Sequence, residues 1–427
     1  MGLLIKGGRV IDPFQGIDGN YDILILKDRI SMIDKNIEPS RAQGCDFIEA
    51  SGKIVCPGLI DMHTHLREPG REDKETIATG CAAAVAGGFT SIACMPNTNP
   101  VNDNASVTKF ILDTAAKTGK CHVLPIGSIS QSLKGEYLSE IGELKHAGSV
   151  ALSDDGEPVQ NADLMRRAME YASMFNLTVI SHCEERDLSA HGVMNEGYVS
   201  TLLGLKGIPN AAEEVMVARE ISLCRLTNSP VHIAHVSTEE SVNLIRQAKK
   251  EGLRITAEVT PHHLFFTDEI VKNFDTNTKV NPPLRTQRDI DALIKGLKDG
   301  TIDVIVTDHA PHTKADKEVE YSDAPFGLIG LETALPVIIT RLYYQAHLDL
   351  KDIIEKMTIN PAQILRLPYK GLVPGQLADI TIIDPQRGKI VDVEKFHSKA
   401  RNCPFHGLNL KGWPVMTIFE GTIVYRE

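Results

Sequence analysis

The sequence predicts an α/β protein: a (β/α)8 TIM-type barrel carrying a small β-sandwich domain built from both chain ends. Three observations lead there. Eight short β-rich runs alternate with helical patterns between about residues 56 and 370. The stretches outside that region hold strand and turn signals without helical periodicity. No glycine-rich phosphate turn follows the first of the eight runs, which disfavours a doubly wound open sheet, the other arrangement of alternating strands and helices.

In chain order, residues 2–54 read as short strands broken by turns (LLIKGGRVID, YDILILKDRI, GKIVC). The barrel strands follow at Leu59–His65, Thr90–Pro96, His122–Gly127, Val150–Asp154, Thr178–His182, Val231–His235, Arg254–Val259 and Val304–Asp308. Helical patterns between them fall at Thr76–Ala86, Val107–Lys117, Ala162–Phe175, Ala211–Leu226, Ser241–Lys250 and Asp289–Lys298. The C-terminal end returns to strands (ADITIID, VMTIFEGTIVY), punctuated by Pro374-Gly375 and Trp413-Pro414. Neither end holds enough strands for a sandwich alone. The expectation is therefore a composite β domain from residues 1–55 and 372–427, with residues 56–371 as the barrel.

Composition excludes several classes of function. The chain has 427 residues, 42% hydrophobic and 24% charged, which removes collagen-like, disordered and coiled-coil readings. Its 45 basic and 56 acidic residues give a net charge of −11, and no long basic run offers a track for nucleic acid. The opening MGLLIKGGRVIDP has too short an apolar run for a secretory signal, and no stretch reaches the ~18 apolar residues of a membrane span, so a cytoplasmic location is expected. Eight cysteines without a CxxC pair are expected to be reduced thiols rather than disulfides. No repeat of ~20–50 residues is visible, which excludes solenoids and propellers.

The chemistry gathers at strand ends. In Leu59-Ile60-Asp61-Met62-His63-Thr64-His65, alternation puts His63 and His65 on one face, where two imidazoles can bind one metal ion. The fourth strand closes on Ser153-Asp154-Asp155-Gly156, the fifth on His182, the sixth on His235 and the eighth on Asp308. Active sites of such barrels lie at the C-terminal ends of the strands, so these residues converge on one mouth. Four histidines and two carboxylates suit a zinc-type pair about 3.5–4 Å apart. Between Asp154 and Asp155 the strand pattern does not choose.

The segment Pro57–Gly70 (PGLIDMHTHLREPG) resembles the opening motif of class I dihydroorotases, of the amidohydrolase superfamily. Further similar segments are Met95–Pro100 (MPNTNP), Ser153–Gly156, Thr260–His263 (TPHH), Thr307–His312 (TDHAPH) and Ala324–Thr333 (APFGLIGLET). The resemblance spans the whole chain. It implies that His63 and His65 ligate one zinc with Asp308, that His182 and His235 ligate a second, and that Asp155 bridges the two. Arg67, Asn97 and His312 are similar to that family's grip on the substrate carboxylate, and His65 also lies in its substrate site. Asn281 and the Phe326-Gly327 backbone resemble its contacts to the pyrimidine ring. The implied reaction is reversible cyclisation of N-carbamoyl-L-aspartate to (S)-dihydroorotate in pyrimidine synthesis. Asp308 would serve as the acid–base group, and Arg67 as a planar fork that lysine could not replace. A homodimer, and association with aspartate carbamoyltransferase, are compatible with the resemblance.

Other residues read more plainly. His262 and His263 are expected to support the site or the fold, since both cannot enter a metal site from one Pro-His-His segment. Cys183 and His309 should face away from their ligand neighbours, and His312–Tyr321 should be a solvated loop over the site. Two other readings need stating. Cyclic amidases acting on hydantoins, dihydropyrimidines or allantoin generally bridge their metals with a carbamylated lysine, but residues 149–156 contain no lysine, and Lys145 belongs to the preceding helix. Metal-free scaffolding relatives have lost ligands, whereas all six candidates stand here.

Overall fold

The computed structural model describes residues 2–427. The N-terminal segment forms β1 (Gly2–Asp12), β2 (Ile17–Leu26), β3 (Arg29–Asp34), β4 (Cys45–Glu49) and β5 (Ile54–Pro57). Eight barrel strands follow: β6 (Leu59–Thr64), β7 (Phe89–Cys94), β8 (His122–Gly127), β9 (Ala151–Ser153), β10 (Thr178–Ser181), and, after the small pair β11 (Met194–Asn195) and β12 (Gly207–Ile208), β13 (Val231–Ile233), β14 (Ile255–Val259) and β15 (Val304–Ile305). The chain ends in β16 (Ile380–Ile390), β17 (Asn409–Phe419) and β18 (Thr422–Arg426).

The barrel strands pair in parallel in the order β6-β7-β8-β9-β10-β13-β14-β15. The ring is drawn together between first and last strands by a bridge from Thr64 to His309, with the His65 N–H donating to the His309 carbonyl at 2.8 Å. Helices fill the crossovers close to the expected positions, for example Ile77–Ala86, Ala162–Met174, Ala211–Thr227 and Gln287–Lys298. Strand alternation divides the core. Met62, Ala93, Ile126, Ala151, Ile180 and Val304 cluster inside the barrel, while Ile92, Val123, Leu152, Val179, Ile233 and Ile305 join the helices outside it.

The two chain ends share one hydrogen-bonded sheet. β5 pairs in parallel with β1 and antiparallel with β16, so that Val55 lies opposite both Val10 and Ile382. β1 divides one of its edges, giving Gly2–Lys6 to β4 and Arg9-Val10 to β5. Ile5, Val10, Ile23, Val55, Ile380 and Ile418 form the core of this sheet. Ile11, Ile54, Cys56 and Ile383 instead belong to the barrel's outer core and fasten the sheet to it. No described helix is long and apolar enough to cross a membrane.

Candidate metal and substrate site

The strand ends meet around one carboxylate. Asp155 Oδ1 lies 3.4 Å from His63 Nε2, 3.4 Å from His182 Nδ1 and 3.3 Å from His235 Nε2, and its Oδ2 lies 3.4 Å from His65 Nε2. Asp308 Oδ1 is 3.1 Å from His65 Nε2 and 3.6 Å from His63 Nε2. All six side chains are buried or nearly so. Two triads result, His63–His65–Asp155 and Asp155–His182–His235, and within each the ligand atoms lie within 4.8 Å of one another.

Backbone geometry aims these groups where alternation alone would not. The β6–β7 ladder shifts register between Leu59 and Ile60 and again between Asp61 and Thr64, so Leu59 packs outward while His63 enters the cage. Ile233 also packs outward, yet His235, two residues on, turns inward at a φ of 28°. Asp308 and Arg67 have φ values of 47° and 63°. Three residues of the site thus occupy the left-handed region that side chains normally avoid, a recurrent feature of functional sites.

Asp154 has a different environment from its neighbour. Its Oδ1 accepts from the N–H groups of Ile129 (2.7 Å) and Ser130 (3.1 Å), and its Oδ2 accepts from the Ser130 hydroxyl. Burial pushes its carboxyl up to about 6 despite those donors. Burial also works against ionisation of Asp155 and Asp308, but the surrounding imidazoles prevail and hold both below the usual carboxylate range.

Each of three histidines is held from behind by an acceptor. His63 Nδ1 meets Glu258 Oε1 at 2.6 Å, His65 Nδ1 meets Asn97 Oδ1 at 2.9 Å, and His182 Nε2 meets Glu184 Oε2 at 2.9 Å. In each case the opposite ring nitrogen is left toward the cage. The cage fits a divalent metal on its own evidence. His63 Nε2 is buried without a hydrogen-bond partner, and His182 Nδ1 and His235 Nε2 face each other across 2.9 Å beside a shared carboxylate. Imidazole and carboxylate donors in this number suit zinc-like ions.

The remaining expected residues lie around this cage, with differing freedom to act. The Arg67 Nε–H donates to the Pro311 carbonyl at 3.2 Å, leaving its terminal nitrogens, and burial lowers the guanidinium to about 10. Asn97 uses its carbonyl on His65 and keeps its amide N–H groups. His312 is more committed: its Nε2 donates to the Phe326 carbonyl at 2.8 Å, and Lys74 approaches its Nδ1 at 3.3 Å. Burial, Arg67 and Lys317 keep His312 neutral, lowering it to about 3. Asn281 donates to Glu184 Oε2 at 2.8 Å. Gly327 has a φ of 128°, and a Cβ there would stand 2.8 Å from the Ala310 Cβ and 3.1 Å from His312 Nε2.

The plainer residues also have their places. His263 binds the Thr260 hydroxyl and the Pro282 carbonyl, and His309 meets Glu75. The segment 312–321 is in part the solvated loop expected of its charges, with Lys314, Glu318 and Glu320 exposed, but Lys317 and Tyr321 depart from it. Lys317 is buried and donates to the carbonyls of Thr276 and Pro325, and Tyr321 is buried as well. Carbonyl acceptors supplied by distant loops, which composition does not reveal, account for that difference. Sequence reasoning missed Glu184, Glu258 and Lys74.

Comparison with known proteins places the chain among named relatives. Residues 52–241 match the family model described as dihydro-orotase-like. The chain is 56% identical over 425 residues to a dihydroorotase of Acetivibrio thermocellus, covering 100% of this chain and 99% of that one. It is 56% identical over 427 residues to a dihydroorotase of Pelotomaculum thermopropionicum, again covering 100% and 99%. Among solved structures, the L-hydantoinase (dihydropyrimidinase) from Arthrobacter aurescens superposes with a TM-score of 0.88 at 25% identity, covering 99% of this chain and 96% of that one.

Proposed function

The chain belongs to the dihydroorotase family, and from that premise we propose that it acts as a class I dihydroorotase with two zinc ions per subunit. It is a cyclic amide hydrolase. In this reading it interconverts N-carbamoyl-L-aspartate with (S)-dihydroorotate and water. His63, His65 and Asp308 hold one ion, His182 and His235 hold the other, and Asp155 bridges them. The observation that carries the reading is the meeting of four imidazoles on Asp155, at a strand end without lysine, beside Arg67 and Asn97.

A bound metal pair supplies Lewis acidity toward the amide carbonyl and makes water a competent nucleophile at neutral pH. The chain's own groups do the rest. Asp308 is kept ionised by His65 and His63 against its burial, and with Oδ1 engaged by His65 its Oδ2 is left for a proton. In ring opening that carboxylate takes the proton of the attacking water and delivers it to the departing ring nitrogen. In ring closure it removes the proton from the ureido nitrogen as that nitrogen bonds to the side-chain carboxyl carbon, and delivers it to the departing oxygen, which leaves as water. Arg67 offers its terminal N–H groups to the substrate carboxylate, and Asn97 adds an amide donor. Asn281, with its Nδ2 tied to Glu184, presents its carbonyl oxygen to a ring N–H. His312, tied to the Phe326 carbonyl, stands with Arg67 and Asn97 at the carboxylate, and the Phe326-Gly327 backbone faces the ring.

The same reading assigns residues 1–55 and 372–427 to one small β domain and 56–371 to the catalytic barrel, supported by the pairing of β5 with β1 and β16. Eight free cysteines support a cytoplasmic location. Assembly as a homodimer, with docking to aspartate carbamoyltransferase, is part of the proposal and is tested by size-exclusion chromatography with and without that enzyme. The central test is metal analysis alongside absorbance-monitored ring opening of dihydroorotate, with hydantoin and allantoin as controls. Turnover of dihydroorotate with about two metal equivalents is expected. Preference for hydantoin or allantoin would overturn the assignment.

A further inference from the structure

Glu258 lies at the last but one position of β14, and the alternation of that strand decides where it points. Ala257 and Val259 pack among the helices, so Thr256 and Glu258 face the barrel interior. There Glu258 is fully buried. A buried carboxylate is costly unless donors fill its lone pairs. Here Oε1 accepts from His63 Nδ1 at 2.6 Å and from the His235 backbone N–H at 3.2 Å. Oε2 accepts from His232 Nε2 at 3.0 Å, and His232 Nδ1 is met in turn by the Thr256 hydroxyl at 2.8 Å.

Those bonds reach a member of each triad. His63 belongs to the first, and with its Nδ1 proton committed to Glu258 it can present only the Nε2 lone pair to the cage, 3.4 Å from Asp155 and 3.6 Å from Asp308. His235 belongs to the second. Its backbone stands at a φ of 28°, an unfavourable conformation that needs support, and its N–H is the group that Glu258 holds. From that backbone its Nε2 reaches Asp155 Oδ1 at 3.3 Å. Glu184, by contrast, touches only His182 among the cage histidines.

We propose that Glu258 is a positioning residue for the whole metal cage, orienting His63 through its ring and His235 through its backbone, with His232 and Thr256 as its outer support. The inference rests on the reading that this cage holds divalent metal. The alternative is a buried Glu258–His232 pair that merely fills the barrel interior. The two differ in what an isosteric change does to metal retention.

The experiment compares wild type with Glu258→Gln and Glu184→Gln after reconstitution with zinc, using a competing chelator to measure retention of each metal equivalent. Circular dichroism and melting of the metal-free forms report folding. Glu258→Gln should fold as wild type does yet lose affinity at both equivalents by about 10- to 100-fold, the usual cost of losing an outer partner of a ligand histidine. Glu184→Gln should weaken chiefly one. Cobalt(II) substitution adds a spectroscopic signature: the ligand-field bands of Glu258→Gln should differ from those of wild type. Retention at both equivalents within about two-fold of wild type would overturn the inference, because the expected loss starts near 10-fold. A wild-type protein that takes up no divalent ion would overturn the metal reading itself, and this inference with it. Should Glu258→Gln fail to fold, His232→Gln, which withdraws one support and leaves the carboxylate in place, takes its part in the same assay. Loosened retention supports the inference, and wild-type retention overturns it.

Discussion

Asp154 and Asp155 are adjacent in the chain and opposite in environment. Asp155 sits among four imidazole nitrogens at 3.3–3.4 Å, whereas Asp154 turns onto the backbone N–H groups of Ile129 and Ser130. One carboxylate therefore joins the histidine cluster and the other is held by the loop after β8.

The two should fail differently when removed. Asp155→Ala is expected to release at least one metal equivalent while the metal-free fold persists. Asp154→Ala should retain metal but lose about 1–3 kcal/mol of stability, because buried peptide N–H groups lose their acceptor. Metal analysis and urea unfolding on both variants check this, and a swapped pattern would show that the bridging group is misassigned.

Reconstitution should be indifferent to bicarbonate. A carbamylated lysine forms only with dissolved CO₂, but a carboxylate is present as soon as the chain folds. The fourth strand end carries Ser153-Asp154-Asp155, and Lys145 lies in the helix Ile141–Ala147. Activity regained with zinc alone, equal with and without added bicarbonate, is the expected outcome.

Asp308→Asn keeps the size of the side chain and one oxygen while removing its basicity. A fall in kcat of at least ~10²-fold is expected, the lower range for lost acid–base catalysis. Asparagine tolerates the left-handed backbone at this position, so the melting temperature should change little. Activity within a few-fold of wild type would remove Asp308 from the proton transfer.

Arg67→Lys should raise KM for dihydroorotate and lower kcat together. The fork that remains after Nε binds the Pro311 carbonyl is lost, and a single ammonium positions the ring less well. Steady-state kinetics unchanged from wild type would mean that the carboxylate is read elsewhere.

A pH-dependent joint ties the barrel floor to the terminal sheet. His122 Nε2 lies 3.0 Å from Asp379 Oδ2. Burial opposes the charged ring, but the Asp379 carboxylate prevails and raises the His122 pKa above its usual 6.5. A raised folded-state value contributes stability that is fully present below pH 6.5 and is lost as pH rises through the folded pKa. The stability difference between wild type and His122→Gln should therefore be largest in mildly acidic buffer and shrink on the alkaline side. Because the ring is partly solvated, at most about 1 kcal/mol is expected. Urea titrations at several pH values measure it, and a difference that grows with pH would contradict it.

Much of the cage was legible because strand ends are legible. His63, His65, His182, His235 and Asp308 each close a β-rich run, and the ends of parallel strands in a closed barrel must meet. Which of Asp154 and Asp155 turns into the cage was not legible, since that depends on the loop after the neighbouring strand β8 offering N–H donors. Nor was it legible that Leu59 packs outward while His63 enters the cage, or that Ile233 packs outward while His235 turns in. A register shift intervenes in the first case and a left-handed φ in the second, and neither leaves a mark in residue type. Glu258 went unnoticed because Ile-Thr-Ala-Glu-Val reads as any half-polar strand. Its meaning comes from His63 and His235, contributed by two other strands.

The sharing of one sheet by the two chain ends has a consequence for synthesis. Val55 pairs with Ile382, so β5 leaves the ribosome long before the strand that covers its edge. At about 5–20 residues per second, the intervening residues take roughly 16–65 s to make. During that interval the barrel can close, but β5 presents open backbone groups to any other nascent chain. Yield in the cell should accordingly depend on what shields that edge before the last strands emerge, and refolding from denaturant, where both ends are present from the start, should escape the delay.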